Sequence, residues 1–243
     1  VGAGPAGLEA ARVCGERGHH VTVLEVMPWA GGQLRLAARN PRRRDLMGIV
    51  EWRLAELDRL GVEVRYDTYA DEGTVAALSP DVVIVATGAL AQNPEIESGA
   101  ELMVNAWDVI TGEATVTGDV ILYDDDGNHT AMTTAELLVG QGVQLEIVTP
   151  ERTMGIEVGG MNMVPYSRAL NDADVRFTLT RRVRRIGRRD DGRLDVEIGS
   201  DHSDVRQVRV VDAVVGDHGA RSNDELFHEL APTSTNHGEV DQA

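Results

Sequence analysis

The hydrophobic positions of this chain follow two rhythms that alternate along its length. A helix is predicted over Ala6–Arg17, then a strand at His20–Leu24 and a loop containing Gly31-Gly32-Gln33. Asp45–Leu60 places Leu46, Ile49, Val50, Leu54 and Leu57 near the spacing of one helical face, and after Gly61 the run Val62–Tyr66 reads as a strand. Another strand, Asp81–Ala86, ends in Thr87-Gly88. A second cycle starts at Gly118, with strand Val120–Tyr123, turn Asp124-Asp125-Asp126-Gly127, helix Thr133–Gly140 and strand Val143–Thr149. After a helix over Met163–Leu170, the runs Val175–Thr180, Arg182–Ile186, Leu194–Ile198 and Val205–Val210 read as a meander completing the second lobe. Val211–Val215 reads as the strand that returns to the first lobe, followed by a short helix at Asn223–Leu230.

Helices and strands that alternate in this way predict an α/β fold with a largely parallel sheet in each of two Rossmann-like lobes. The expected first lobe is discontinuous, residues 1–100 plus 211–243, with residues 101–210 inserted as the second. Linkers are expected at Ala89–Glu101 and Gly216–Arg221. The strand that should feed the first glycine turn is reduced to Val1, and no initiator methionine precedes it. The expectation is therefore a segment of a longer polypeptide, truncated at both ends.

Chemistry enters with Gly2-Ala3-Gly4-Pro5-Ala6-Gly7, which fits the G-x-G-x-x-G pattern. Its glycines allow a tight turn, close approach of backbone to a pyrophosphate, and close packing of helix on strand. The helix that follows offers free amide groups and the positive end of its dipole to an anion. Glu25 stands 18 residues beyond Gly7 at the end of the next strand, where a carboxylate accepts hydrogen bonds from ribose hydroxyls. A carboxylate there repels a 2'-phosphate, which disfavours NADP and leaves FAD, NAD or ADP.

Composition narrows the rest. A net charge of -17 supplies no basic face for nucleic acid. All 23 basic residues are arginine, clustered at Arg42-Arg43-Arg44 and over Arg181–Arg189, and in so acidic a chain both clusters read as solvated faces. There is no apolar run of the roughly eighteen residues a membrane span needs and no leader-like segment, so a soluble, cytoplasmic protein is expected. Cys14 is the only cysteine, which excludes a disulfide, a redox dithiol or a cysteine-ligated iron–sulfur cluster within these residues.

Taken together, Gly2–Glu25, Gly31-Gly32-Gln33-Leu34, the helix leading to Leu60-Gly61-Val62, and Val82–Gly88 resemble the FAD/ADP-binding half of two-dinucleotide-domain flavoproteins of the glutathione-reductase type. Gly31–Tyr66, with Ala37-Ala38 before Pro41 and Arg42, is similar to the trimethylamine dehydrogenase and 2,4-dienoyl-CoA reductase family of NADH:flavin oxidoreductases, nearest to its N-methylproline (stachydrine) demethylase branch. The tail Asn223–Asp241 adds to the likeness. The resemblance implies FAD or ADP bound at Gly2, Gly4, Pro5, Ala6, Gly7, Glu25, Gly32, Gln33, Leu34, Ala86, Thr87 and Gly88. It also implies a preceding FMN-containing barrel and a 4Fe–4S cluster elsewhere in the polypeptide, oxidation of amines, a possible electron-transfer protein as partner, and a homo-oligomeric full-length enzyme. Substrate-oxidising residues would lie in that barrel, so no catalytic residue is assigned; an NAD(P)H-dependent enoyl reductase of the same family and a nucleotide-binding module without redox activity are the alternatives.

The second lobe departs from the pattern. Where a second G-x-G-x-x-G would follow Val120–Tyr123, the chain reads Asp124-Asp125-Asp126-Gly127-Asn128-His129. Three carboxylates repel a pyrophosphate, which argues against a working NAD(P)H site there. The turn lacks the spaced ligands of a calcium loop and reads as solvated rather than metal-binding. His19, His20, His129, His202, His218, His228 and His237 show no ligand spacing. Gly216-Asp217 is read as distinct from the family's Gly-Asp box, which is expected beyond Ala243.

Overall fold

The computed structural model describes residues 1–235, and the chain divides into two compact units, Val1–Leu90 with Arg221–Ala243, and Ala91–Ala220. His237 and the last part of the tail to Asp241 lie outside the described residues.

In the first unit, helix α1 (Pro5–Glu16) starts on a proline whose fixed φ suits the first helical position. Strand β1 (Thr22–Leu24) follows, then a single turn α2 (Leu34–Ala37) and helix α3 (Met47–Leu60), which stops at Gly61 with a left-handed φ of 69°. Strand β2 (Glu63–Arg65) pairs in parallel with β1, Thr22 opposite Glu63. Leu8 and Ala11 of α1, Val23 of β1 and Val50 and Leu57 of α3 form the buried core between these elements. Short helix α4 (Glu72–Ala77) and strand β3 (Ala89–Ala91) complete this part of the chain.

The predicted strand Asp81–Ala86 is not formed as a regular strand. Its ladder is confined to Val1, whose amino group donates to the Ile84 carbonyl while the Ala86 N–H donates to the Val1 carbonyl at 2.8 Å. On the other side of Val1, the Gly2 N–H donates to Leu24 of β1, also at 2.8 Å.

The second unit opens with strand β4 (Met103–Asn105) and helix α5 (Ala106–Thr111). It continues through β5 (Asp119–Asp124), α6 (His129–Gly140), β6 (Gln144–Val148), α7 (Gly160–Asp172) and β7 (Arg176–Thr178). Three antiparallel strands follow, β8 (Arg182–Arg188), β9 (Leu194–Ser200) and β10 (Ser203–Val211), and then β11 (Ala213–Asp217). The parallel sheet has the order β4-β11-β5-β6-β7. Val120 and Leu122 of β5 join the core with the helices, whereas Ile121 and Tyr123 join the core with β8 and β9. Burial on both faces explains why this strand is continuously apolar.

Two expectations are corrected here. Val211–Val215 does not return to the first lobe, because β11 lies between β4 and β5 and is hydrogen-bonded to both. The inserted unit consequently runs over Ala91–Ala220 rather than residues 101–210, and both expected linkers contain strand residues. Val175–Thr180 is likewise not the first strand of a meander, since β7 joins the parallel sheet and only β8, β9 and β10 run antiparallel. The chain re-enters the first unit through β12 (Ala220–Ser222), hydrogen-bonded to β3, and then forms α8 (Glu225–Leu230).

Candidate functional site: the glycine turn of the first unit

Gly2 has a φ of 98°, and a Cβ placed on it would stand 2.4 Å from the Ala86 carbonyl oxygen. A Cβ on Gly7 would meet the Gly2 carbonyl oxygen at 1.9 Å and the Ala86 side chain at 3.4 Å. The first and third glycines and Ala86 therefore form one tightly packed backbone crossing, which only glycine at positions 2 and 7 permits. The middle glycine differs. A Cβ on Gly4 would meet nothing within 4 Å, and Gly4 caps α1 without any side-chain hydrogen bond to the helix. Pro5 has no N–H, so the free amides of the helix start begin at Ala6; they have no side-chain cap and the space beside Gly4 is open, an arrangement suited to binding a phosphate through backbone.

Glu25 is nearly buried, 8% exposed, at the end of β1. Its Oε2 accepts from the Ala3 N–H at 2.7 Å and its Oε1 from the Met27 N–H at 2.9 Å. One carboxylate so fixes the glycine turn to the loop after β1, and each oxygen keeps a further lone pair for a hydroxyl. The same loop closes on the turn a second time. Gly31 donates its N–H to the Ala3 carbonyl at 2.8 Å, and a Cβ on Gly32 would lie 3.2 Å from the Gly4 Cα. Gln33 donates through Nε2 to the Ala89 carbonyl, and Leu34 packs against the core of the unit.

Thr87 and Gly88 are tied to the returning chain. The Thr87 hydroxyl donates to the Asn223 carbonyl, and the Asn223 N–H donates to the Gly88 carbonyl at 2.9 Å. Asn223 was not among the expected site residues, because its partner lies 136 residues earlier and no local pattern announces such a contact. Gly2, Gly4, Pro5, Gly7, Glu25, Gly32 and Ala86 are brought together at the turn; Gln33, Thr87 and Gly88 border it through Ala89 and Asn223.

The equivalent turn in the second unit is built otherwise. Asn128 caps α6, its side chain accepting from the Thr130 N–H at 2.7 Å, so an amide left open in α1 is satisfied internally here. Asp124 Oδ1 accepts from the Gly127 N–H at 2.7 Å. The loop after β6 sits on the turn. Glu157 donates its N–H to the Gly127 carbonyl at 2.9 Å, and a Cβ on Gly127 would lie 2.7 Å from the Ile156 side chain. The three acidic residues do not act as three free charges. Asp125 is paired with Arg182 at 2.7 Å, and burial pushes the Asp124 carboxyl up to about 6. Internal hydrogen bonding, more than repulsion, closes this turn. The arginines of β8 are also engaged, Arg182 and Arg184 with Asp201 and Arg185 with Glu97 at 2.8 Å. Among the described residues no cluster of three or more His, Cys, Asp or Glu is arranged to hold a metal, and no helix is long and apolar enough to cross a membrane.

The chain has relatives among known proteins. The chain is 45% identical over 240 residues to a probable N-methylproline demethylase of Rhizobium meliloti, covering 99% of this chain and 35% of that protein. It is 38% identical over 248 residues to an N,N-dimethylglycine/sarcosine dehydrogenase of Chromohalobacter salexigens, covering 99% of this chain and 36% of the relative. The chain thus spans about a third of the length of the curated relatives it matches. Among solved structures, 6-hydroxypseudooxynicotine amine oxidase from Pseudomonas geniculata superposes with a TM-score of 0.85 at 27% identity, over 97% of this chain and 36% of that one. No family model matches the chain.

Proposed function

Because this chain belongs to the trimethylamine dehydrogenase and 2,4-dienoyl-CoA reductase family of flavin-dependent oxidoreductases, we propose that its first unit holds the ADP portion of FAD, or ADP itself, at the Gly2–Gly7 turn. The observation that carries this reading is the uncapped start of α1 at Gly4, with open space beside it and the Glu25 carboxylate anchored next to it. These residues fit the group. The first amides of α1 receive the pyrophosphate, Gly4 lets it approach the backbone, and Glu25 accepts from ribose hydroxyls. Gly32 and Gln33 border the turn, and the Thr87–Asn223 bonds hold the Ala86–Gly88 segment in place beside it. FAD supplies electron transfer when bound, whereas ADP supplies none.

For the full-length protein the proposal is oxidation of an amine, by N-demethylation or dehydrogenation, with FMN and a 4Fe–4S cluster carried by other residues of the polypeptide. Its support is the naming of the relatives as a demethylase and a dehydrogenase of N-methylated compounds. An electron-transfer protein as acceptor, a homo-oligomer and a cytoplasmic location belong to the same proposal. A nicotinamide-using enoyl reductase is the weaker reading, because the self-capped turn of the second unit leaves no open helix start for a pyrophosphate.

The test is thermal stabilisation of the full-length protein by ADP, FAD and NADPH in turn, with each of Gly4 and Asn128 substituted. Stabilisation by ADP or FAD that depends on Gly4 is expected. Stabilisation by NADPH that depends on Asn128 instead would overturn the assignment.

A further inference from the structure

The ends of β5 and β11 carry Asp124 and Asp217, paired across the parallel sheet in register. Neighbouring strands lie about 4.8 Å apart, and residues in register project to the same face, so the two carboxyl groups are neighbours. Both are buried, at 0% and 2% exposed. One oxygen of each is occupied, Asp124 Oδ1 by the Gly127 N–H at 2.7 Å and the Asp126 N–H at 3.3 Å, with the Gly155 amide also near this carboxyl, and Asp217 Oδ1 by the Gly219 N–H at 3.3 Å. The other oxygen of each, Oδ2, is buried and has no hydrogen-bond partner. Two ionised carboxylates in this position would leave two buried acceptors unsatisfied and two like charges facing one another, a combination that proteins avoid by protonation. A single proton removes one charge and provides the missing donor.

We propose that Asp124 and Asp217 form a proton-binding site in which one proton is shared between their Oδ2 atoms, and that this proton latches the turn of the second unit beneath its covering loop. The connection to the loop is direct. Asp124 holds the Gly127 N–H, the Gly127 carbonyl holds the Glu157 N–H at 2.9 Å, and Ile156 rests on Gly127. When the proton leaves to solvent, two carboxylates remain at the strand ends and repel, and the turn that seats residues 155–157 gives way.

The charged groups around the pair agree with this direction. Burial, and then the charge of Asp124, push the Asp217 carboxyl up to about 7, while burial pushes Asp124 up to about 6. Asp126 raises both further, whereas His218 favours the ionised form of Asp217, and the Gly155 and Gly127 amides favour that of Asp124. Arg182 faces Asp125 and Asp201 rather than the pair, and Glu157 faces Asp126. Because both carboxyls are raised in the folded protein above their ordinary range near pH 4, the folded state holds protons that the unfolded chain has lost. The pair therefore keeps at least one proton, and the latch holds, until pH rises through about 7.

The experiment is an infrared pH titration of the full-length protein, read at the carbonyl band of protonated carboxylic acid, alongside amide exchange of residues 155–158 corrected for intrinsic base catalysis. The expected result is one protonated carboxyl that titrates well above the ordinary aspartate range, with exchange at 155–158 accelerating over the same interval. Asp217→Asn, which replaces the proton by an amide donor of the same shape, should abolish the band and make the corrected exchange independent of pH. If that variant fails to fold, Asp124→Asn is read in the same way, and the wild-type titration stands alone. Absence of a protonated carboxyl at pH 5 to 6, or a transition at 155–158 unchanged in either variant, would overturn the proposal.

Discussion

Each unit starts a helix from a glycine-containing turn, α1 after Gly2–Gly4 and α6 at the carboxyl end of β5, and the two turns are finished in opposite ways. At α1 the cap is Gly4, whose carbonyl accepts from the Leu8 N–H but which has no side chain to take up the helix's first free amides. At α6 the cap is Asn128, which takes an amide itself, while Asp124 takes the turn's own N–H and Ile156 fills the space above Gly127. The lesson is that a nucleotide site at a helix start depends on incompleteness. A turn that satisfies its own hydrogen bonds is a better-capped helix and a poorer phosphate site.

The sharpest way to break the comparison is Gly7→Ala. Its methyl would fall 1.9 Å from the Gly2 carbonyl oxygen, so the crossing with Ala86 has to open. A loss of about 3 kcal/mol in stability, the upper end for overpacking, is expected with loss of ADP binding, checked by chemical denaturation and calorimetry. Next is Glu25→Ala, which leaves the Ala3 and Met27 N–H groups without their acceptor. Denaturation should show a cost of about 2 kcal/mol, and affinity for adenosine nucleotides should fall as well. Gly4→Asn sharpens the contrast by copying the cap of α6 into α1, where a φ of -73° accepts any residue. Stability should hold or rise slightly while ADP affinity drops at least about tenfold, or roughly 1.4 kcal/mol, by calorimetry. The reverse exchange, Asn128→Gly, should cost only a few tenths of a kcal/mol and create no NADPH site, because Asp124 still occupies the Gly127 N–H. NADPH binding by that variant would show that the cap alone separates the two turns.

Much of the first site was legible in the residues themselves. Gly2, Gly4, Gly7 and Glu25 are local in sequence, and the turn they build is set by sterics within one strand–helix unit. Pairing between distant segments was not legible. The run Val214-Val215 reads as a buried parallel strand wherever it sits, and nothing within it says that its neighbours are β4 and β5. The Asp124–Asp217 pair was hidden for the same reason, since β11 stands beside β5 although five strands lie between them in the chain. Val82–Ala86 shows the opposite limit. Its composition is that of a strand, but a ladder belongs to two segments, and composition names only one of them.

The bare cap at Gly4 also bears on how the stability of the two units is apportioned. A unit whose helix start is completed by a bound molecule has a stability linked to that molecule's supply, and a ligand at a hundred times its dissociation constant adds about 2.7 kcal/mol. The second unit, with Asn128 as its own cap, receives no such increment. On the proposed assignment, removal of ADP or FAD should expose residues 1–90 to proteolysis before residues 91–220, which limited proteolysis with and without nucleotide checks.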